Sequence, residues 1–435
     1  MARLRWFAFL VVVGSSCTGA GEPSAVPGPA APAAPAPPPT DATVPAPVAA
    51  GSGSAVCDCA DDDPPEPKHD QLTLTRLEWK DLPGWAADKH AEAVPSFLRS
   101  CEKLATLKDG DPVGHDGHGG QAKHWRKACA AAQRLKAGDH VAARAMFEAQ
   151  FVPWTAAGKE GVDGKMTGYF VQEMRGSRKR KGKYQYPVFG RPKDLVMVDL
   201  SKHIKDAHGR RIWGRLDAKG DLAPFHTRQE IRLGALAGKG LEIMYVDDPV
   251  DLLFAHIEGS AKAVMDDGSV VWLEFSGKNG RSYRGVGGVL KSIGALQKPG
   301  SGTMQGIRAW FDANPKRFDE VVDQSHSFVF FAESKQPGAV GSQMTILTAQ
   351  RSMAVDRAFI AHATPIWVET RAPKPGKPGS EIWRQLLIAQ DTGGGILGAV
   401  RGDIYWGDDA VAADLGGRMG GKGRYWLLLP LSVTK

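Results

Sequence analysis

The chain has 435 residues, of which 42% are hydrophobic and 24% charged, with a formal net charge of +7. That length allows two or three domains, and the apolar fraction is that of a water-exposed fold with a sizeable core, which excludes a wholly disordered chain. The positive excess is mild, and the chain shows no phosphate-binding loop, dinucleotide fingerprint or metal-ligand spacing, so neither a cofactor nor a metal is implied.

The chain opens with Arg3 and Arg5, then an apolar run from Trp6 to Val13, then Gly14-Ser15-Ser16-Cys17. The run is too short to span a bilayer and reads as a secretory signal. Small residues before a lone cysteine predict lipidation at Cys17, although Gly14 stands where an aliphatic residue is expected. Residues 18–54 are dominated by Ala, Pro, Gly and Ser. Such a segment buries too little apolar surface to order itself, and as an extended tether it would reach on the order of 100 Å at about 3 Å per residue. The other cysteines are Cys57, Cys59, Cys101 and Cys129. In an oxidising compartment Cys101 and Cys129 are the first expected pair, because each falls near the end of a helical stretch; Cys57 and Cys59 lie in an acidic linker.

From Pro95 to Gln150 apolar residues recur at helical spacing, broken by a glycine-rich loop over 110–120, and Trp125, Leu135, Val141 and Phe147 are expected to share buried faces. The loop holds His115 and His118, with His124 beyond; a plain loop is preferred to a metal site because no Cys or Glu accompanies them. Beyond Met166 the pattern changes to short alternating strands, including 166–173, 195–198, 241–246, 255–257 and 270–275, with Asp266-Asp267-Gly268 as a hairpin turn. The basic run from Arg175 to Lys183 lacks interleaved aromatics and reads as a solvated hairpin loop, so no nucleic-acid partner is expected. Helices are expected near 283–293 and 304–314, and strands return from Phe328. Short strands with many turns favour a β-barrel over a doubly wound sheet.

The stretch from Gln390 to Gly407 carries the strongest chemical signal. The apolar run Leu386 to Ala389 ends in Asp391-Thr392-Gly393-Gly394-Gly395, and Asp403 is followed by Ile404, Tyr405 and Trp406. A carboxyl at the end of a buried strand with apolar neighbours holds its proton towards neutral pH, and aromatic side chains offer a stacking wall to a sugar ring. Trp406 is therefore a candidate sugar platform, and Trp310 is read either as a platform or as helix packing.

Asp356 in Arg351 to Arg357, Asp391 and Asp403 occur in three blocks whose order resembles the 3D domain of the lytic murein transglycosylase A family. Met166-Thr167-Gly168-Tyr169-Phe170, the segment Ser276 to Arg284 and Ser327 to Phe331 are similar to three more family blocks, over roughly residues 70 to 432. Where the family usually shows Gln-Gly-Ser-Gly, this chain has Glu258-Gly259-Ser260-Ala261, a departure expected to alter a subsite. The resemblance implies a mainly β fold: a double-psi β-barrel with N-terminal helical elements, plus an inserted second β domain, with the substrate groove between them. The expected divisions are a lipoprotein signal at 1–17, a linker at 18–69, helices and first barrel strands at 70–175, the insert at 176–326, and the 3D domain at 327–435.

The activity implied is that of a lyase cutting the β-1,4 bond between N-acetylmuramic acid and N-acetylglucosamine with formation of a 1,6-anhydro end. A hydrolase needs two carboxylates, whereas here the muramic acid C6 hydroxyl is the nucleophile and one acid suffices. Asp403 is the expected acid, with Asp391 and Asp356 supporting it. Thr167 and Tyr169 are expected at the sugar near the cleavage point, and Glu258, Ser260, Lys278 and Tyr283 at subsites in the insert. The bland reading of the aspartates is a turn, or for Asp356 an ion pair with Arg357. The expected partners are peptidoglycan glycan strands, a membrane reached through a lipid anchor, and proteins of wall synthesis or division; the expected location is the periplasmic side of a Gram-negative envelope, as an outer-membrane lipoprotein. Two rivals remain: an aspartic protease, for which a second Asp-Thr-Gly is missing, and a non-catalytic wall-binding lipoprotein.

Overall fold

A computed structural model describes residues 70–433, except 116, 201–202, 205–210 and 299. The signal, the linker, Cys17, Cys57 and Cys59 lie outside the described residues. Strand β1 (Thr73–Arg76) precedes helices α1 (Val94–Ala105), α2 (Ala122–Ala132) and α3 (His140–Gln150), after which come β2 (Phe151–Ala157), β3 (Gly164–Tyr169) and β4 (Gln172–Ser177). Strands β5 (Tyr186–Phe189), β6 (Leu195–Asp199), β7 (Arg211–Leu216) and β8 (Leu222–Ala223) lead through the single turn α4 (Arg228–Glu230) to β9 (Glu242–Val246) and α5 (Pro249–Glu258). Then come β10 (Ala261–Met265), β11 (Val270–Lys278), α6 (Val286–Ser292), α7 (Met304–Ala313), α8 (Phe318–Val322) and β12 (Val329–Glu333). The chain ends with β13 (Ser352–Val355), β14 (Pro365–Pro373), β15 (Ser380–Asp391), β16 (Arg401–Tyr405), α9 (Ala410–Arg418) and β17 (Gly420–Pro430).

The architecture is mainly β. Strands β17, β14, β15, β13, β16 and β3 pair in that order, and β3 returns to β17, so six strands close into a ring with no free edge. Strand β2 extends the sheet from β17 and carries β1. The ring is filled by Met166, Met353, Ile366, Leu387, Ile404 and Leu427, all buried. A second sheet orders β12-β11-β10-β4-β9-β5, with β6, β7 and β8 forming a small third sheet. The second sheet therefore takes strands from Gln172 to Glu333.

The helical part packs Phe97, Trp125, Phe147 and Phe151 into one cluster, and a disulfide joins Cys101 on α1 to Cys129 on α2. Val141 does not join them: it is 81% exposed, because α3 turns Ala143, Met146 and Phe147 inward and Val141 falls on the opposite side. Residues 255–257 are helix, not strand. Asp248 caps α5 by accepting from the Val250 and Asp251 N–H groups, and Pro249 opens its first turn. The strands after Phe328 are not all short, since β14, β15 and β17 have 9, 12 and 11 residues, and the interval also contains α9.

The basic run is not a hairpin loop. β4 and β5 lie on either side of β9 rather than beside one another. Four of its six cations are paired with acids: Arg175 and Lys183 with Asp247 at 2.7 and 3.0 Å, Lys181 with Asp266 at 2.5 Å, and Arg178 with Glu333.

Candidate active site

One rung of the closed sheet carries most of the site. Ala354 on β13 stands opposite Asp391 on β15 and Asp403 on β16, and Asp403 stands opposite Thr167 on β3. Residues directly opposite one another share a face of a sheet, so the two carboxyls flank Ala354, with backbones about 10 Å apart across two strand spacings. The Thr167 hydroxyl donates to Asp403 Oδ1 at 2.5 Å, and the Tyr169 hydroxyl donates to Asp391 Oδ2 at 2.8 Å. The rings of Tyr169 and Tyr405 lie 5.3 Å apart. Gly168, between the two donors, is required by contact: a Cβ there would lie 2.4 Å from the Trp406 indole nitrogen.

Burial pushes the Asp403 carboxyl up to about 6; Arg401 and the Thr167 hydrogen bond oppose this, and the Asp391 charge reinforces it. Asp391 is also raised by burial, against the pull of the Ser342 and Thr392 N–H groups, each donating at 2.8 Å, and of Tyr169. Burial, then the Asp391 charge, hold the Tyr169 phenol well above its ordinary value, so it stays a proton-bearing donor. Asp356 is placed differently. It accepts from Ala358 N–H at 3.0 Å and from Gly398 N–H at 2.8 Å, and so fixes the loop leading into β16 rather than pairing with Arg357. The buried ion pair of this region belongs to Arg351, which reaches Asp88 at 2.9 Å.

The inserted segments bring further candidates to the rung. Glu258 ends α5, and its carboxyl is held well above its ordinary value by burial and then by the Asp403 charge, against the opposing effect of the Phe170 N–H. Lys278 ends β11 across from the glycine-rich loop after Asp391: a Cβ on Gly394 would stand 4.0 Å from its ammonium nitrogen, and burial lowers its pKa. Tyr283 keeps 52% of its surface exposed, and partial desolvation by the surrounding protein, then the Glu258 charge, raise its phenol against the opposing Arg228 charge. Within the same block Asn279 is structural. It is fully buried, donates to the His226 and His326 carbonyls and accepts from Phe328 N–H. Gly280, at φ 75°, leaves no room for a side chain, because a Cβ would lie 2.0 Å from the Trp213 carbonyl oxygen.

Two expected contacts are not available. Trp406 is 4% exposed, its indole directed at the Met419 sulfur and its ring packed 5.6 Å from that of Trp383, so it is core and not a sugar platform. Ser260 is 6% exposed at the join of α5 and β10, which leaves it almost no surface to offer a glycan. Trp310 is half-buried beside Phe311, with the Arg317 guanidinium 5.5 Å above its ring, an arrangement of helix packing. His124 uses Nδ1 to accept from the Gln121 N–H at the start of α2.

Asp70 was not singled out by pattern. It accepts from the N–H groups of Gln71, Lys159 and Ala399, at 2.9, 2.9 and 2.6 Å, tying the chain start to the loop before β16. Burial alone would raise its pKa, but these three donors bring it below the ordinary value. No local motif marks such a residue, since its donors lie up to 329 positions away.

Two family descriptions match the chain: the MltA specific insert domain over residues 165–332 and the 3D domain over 351–429. The membrane-bound lytic murein transglycosylase A of Escherichia coli (strain K12) is 29% identical over 276 residues, covering 62% of this chain and 67% of that protein. Among solved structures, the membrane-bound lytic murein transglycosylase from Agrobacterium tumefaciens is 28% identical with a TM-score of 0.71, covering 82% of this chain and 98% of that one. MltA from Neisseria gonorrhoeae is 31% identical with a TM-score of 0.67, covering 82% of this chain and 93% of that one.

Proposed function

The chain belongs to the lytic murein transglycosylase A family, a family of lyases acting on peptidoglycan, and from that premise we propose that Asp403 alone serves as acid and base in its cleavage reaction. The observation that carries this reading is the Asp403 socket, a half-buried carboxyl with one hydroxyl donor and a pKa raised to about 6. In the first step Asp403 gives its proton to the oxygen leaving the muramic acid C1, so that N-acetylglucosamine departs with a free 4-hydroxyl. In the second, the carboxylate takes the proton of the muramic acid C6 hydroxyl as that oxygen bonds to C1. No water is consumed, Asp403 ends protonated as it began, and the glycan ends in a 1,6-anhydro ring.

Tyr169 and Asp391 support this cycle. With Tyr169 donating to it, Asp391 adds negative potential that favours the protonated form of Asp403, while Thr167 fixes the carboxyl rotamer. Glu258, held well above its ordinary value by burial and then by the Asp403 charge, is biased towards its protonated form, which carries the donor and acceptor that an amide would offer at that position. Lys278 and Tyr283 are the groups through which the insert would grip the glycan. The names of the relatives place them at a membrane, and the reading for this chain is a cell-envelope enzyme held by a lipid on Cys17, which follows small residues and an apolar run.

The test is mass spectrometry of purified sacculi digested with the full-length protein and with its Asp403→Asn variant. Anhydro-muropeptides from the unmodified protein alone are expected. Reducing ends would mean hydrolysis with a second carboxylate, and binding to sacculi without products would mean a wall-binding protein.

A further inference from the structure

Beyond Asp391 the structure holds a pocket of about 390 Å³ between the end of α1, the loop over 112–115 and the segment over 357–362. Its floor is apolar, with Leu104, Val113 and Ile360, and among the described residues its charged lining consists of Lys103 and Arg357, with no Asp or Glu. The Arg357 guanidinium is half-buried and makes no hydrogen bond or ion pair among the described residues. The acid whose charge reaches it, Asp199, is paired with Arg211 at 3.8 Å. An unpaired cation in a partly dry pocket is costly unless an anion completes it.

The pocket is joined to the rung by hydrogen bonds. His362, on its wall, is 3.1 Å from the Ser342 hydroxyl, and the Ser342 N–H donates to Asp391, which also accepts from Tyr169. A group bound there would connect through His362 and Ser342 to the supporting carboxyl of the proposed reaction. Muramic acid carries a lactyl-linked peptide stem of small apolar residues interspersed with carboxylates, and a cationic pocket with an apolar floor complements that chemistry.

We propose that this pocket receives a carboxylate of the peptide stem on the muramic acid being cleaved, with Arg357 and Lys103 as its binding groups. The proposal rests on the murein reading of the Asp403 site and adds a substrate preference to it: stem-bearing glycan is taken ahead of bare glycan. Ser342 and His362 connect occupancy of the pocket to the position of Asp391.

The test compares kcat/KM for anhydro-end formation on intact peptidoglycan and on amidase-stripped glycan strands, using the full-length protein and its Arg357→Gln and Lys103→Gln variants. Alongside it, calorimetry follows the free stem tetrapeptide and the same peptide with its carboxylates amidated. The unmodified protein is expected to favour stem-bearing glycan about tenfold or more, the scale of one charge-assisted hydrogen bond. Arg357→Gln is expected to bring that ratio close to one, and the free tetrapeptide is expected to bind in a manner that weakens on amidation and on Arg357→Gln. Equal preference in the unmodified protein and the variants overturns the proposal, as does equal binding of acetate or phosphate, which would make the pocket a general anion site. If no anhydro ends form from either polymer the murein reading fails instead, and calorimetry still decides whether the pocket binds the stem. Unchanged melting of Arg357→Gln excludes misfolding.

Discussion

Two sets of aspartates lie within a few residues of one another on the same barrel and are treated in opposite ways. Asp356 and Asp70, which both hold the loop before β16, take five backbone N–H donors between them, two at Asp356 and three at Asp70. On the rung above, Asp403 has a single hydroxyl donor and a buried setting that pushes it to about 6. Backbone donors stabilise the ionised form, so a carboxyl that collects them suits an anchor, whereas one left partly desolvated with a single donor suits the proton-carrying role proposed for Asp403. The difference teaches that the donor count around each carboxyl, rather than its place in a motif, separates chemistry from scaffolding.

The largest expected effect breaks the acid. Asp403→Asn should lower anhydro-end formation by about 10²–10⁴-fold, the range of general acid and base catalysis, with the fold intact by circular dichroism. Next, breaking the anchor with Asp70→Ala should cost roughly 1–3 kcal/mol of stability in urea melts, the cost of leaving its donors unsatisfied. It should also reduce turnover while leaving the pH profile unmoved, since Asp70 does not carry the proton.

The comparison is sharpened by pH. kcat/KM should fall as pH rises through about 6, because the first step needs protonated Asp403, and this limb should disappear in Asp403→Asn. Stability has the same sign. The folded value of about 6 lies above the ordinary 3.8, so folding binds this proton more tightly. The Asp403 contribution is therefore fully present below about pH 4 and lost as pH rises through 6, and melts of Asp403→Asn should lack that component. The smallest effect expected is from Thr167→Val, about tenfold or less in kcat, with the limb moving to higher pH because a donor to the ionised form is removed. A limb moving to lower pH would contradict the assigned role of Thr167.

Much of this was legible locally. Asp391 and Asp403 stood out because each follows or precedes an apolar strand, and the Cys101 and Cys129 pairing followed from two helix ends in one small subdomain. Helix α5 was missed although Asp248-Pro249 is a capping signal, because its residues 255–257 also suit a strand. Helix α9 was hidden by Gly416 and Gly417, which lower helix propensity, but Gly416 lets the helix approach Tyr169 and Phe170 closely and Gly417 leaves room for the Gln305 side chain. Trp406 looked like a sugar platform because a side chain's identity does not say which face of the sheet it takes.

The sequence by itself determined the class of chemistry, through the run of blocks that carry the three aspartates, and the mainly β character, through period-two patterning and turn residues. Tertiary structure alone decided that Asp356 is the anchored carboxyl, that Glu258 stands within reach of the Asp403 charge, and that four of the six cations of the 175–183 run are already paired. Each of these depends on groups far apart in the chain. Burial, donor count and charge at a carboxyl are set by whatever the fold brings to it, and no local pattern encodes them.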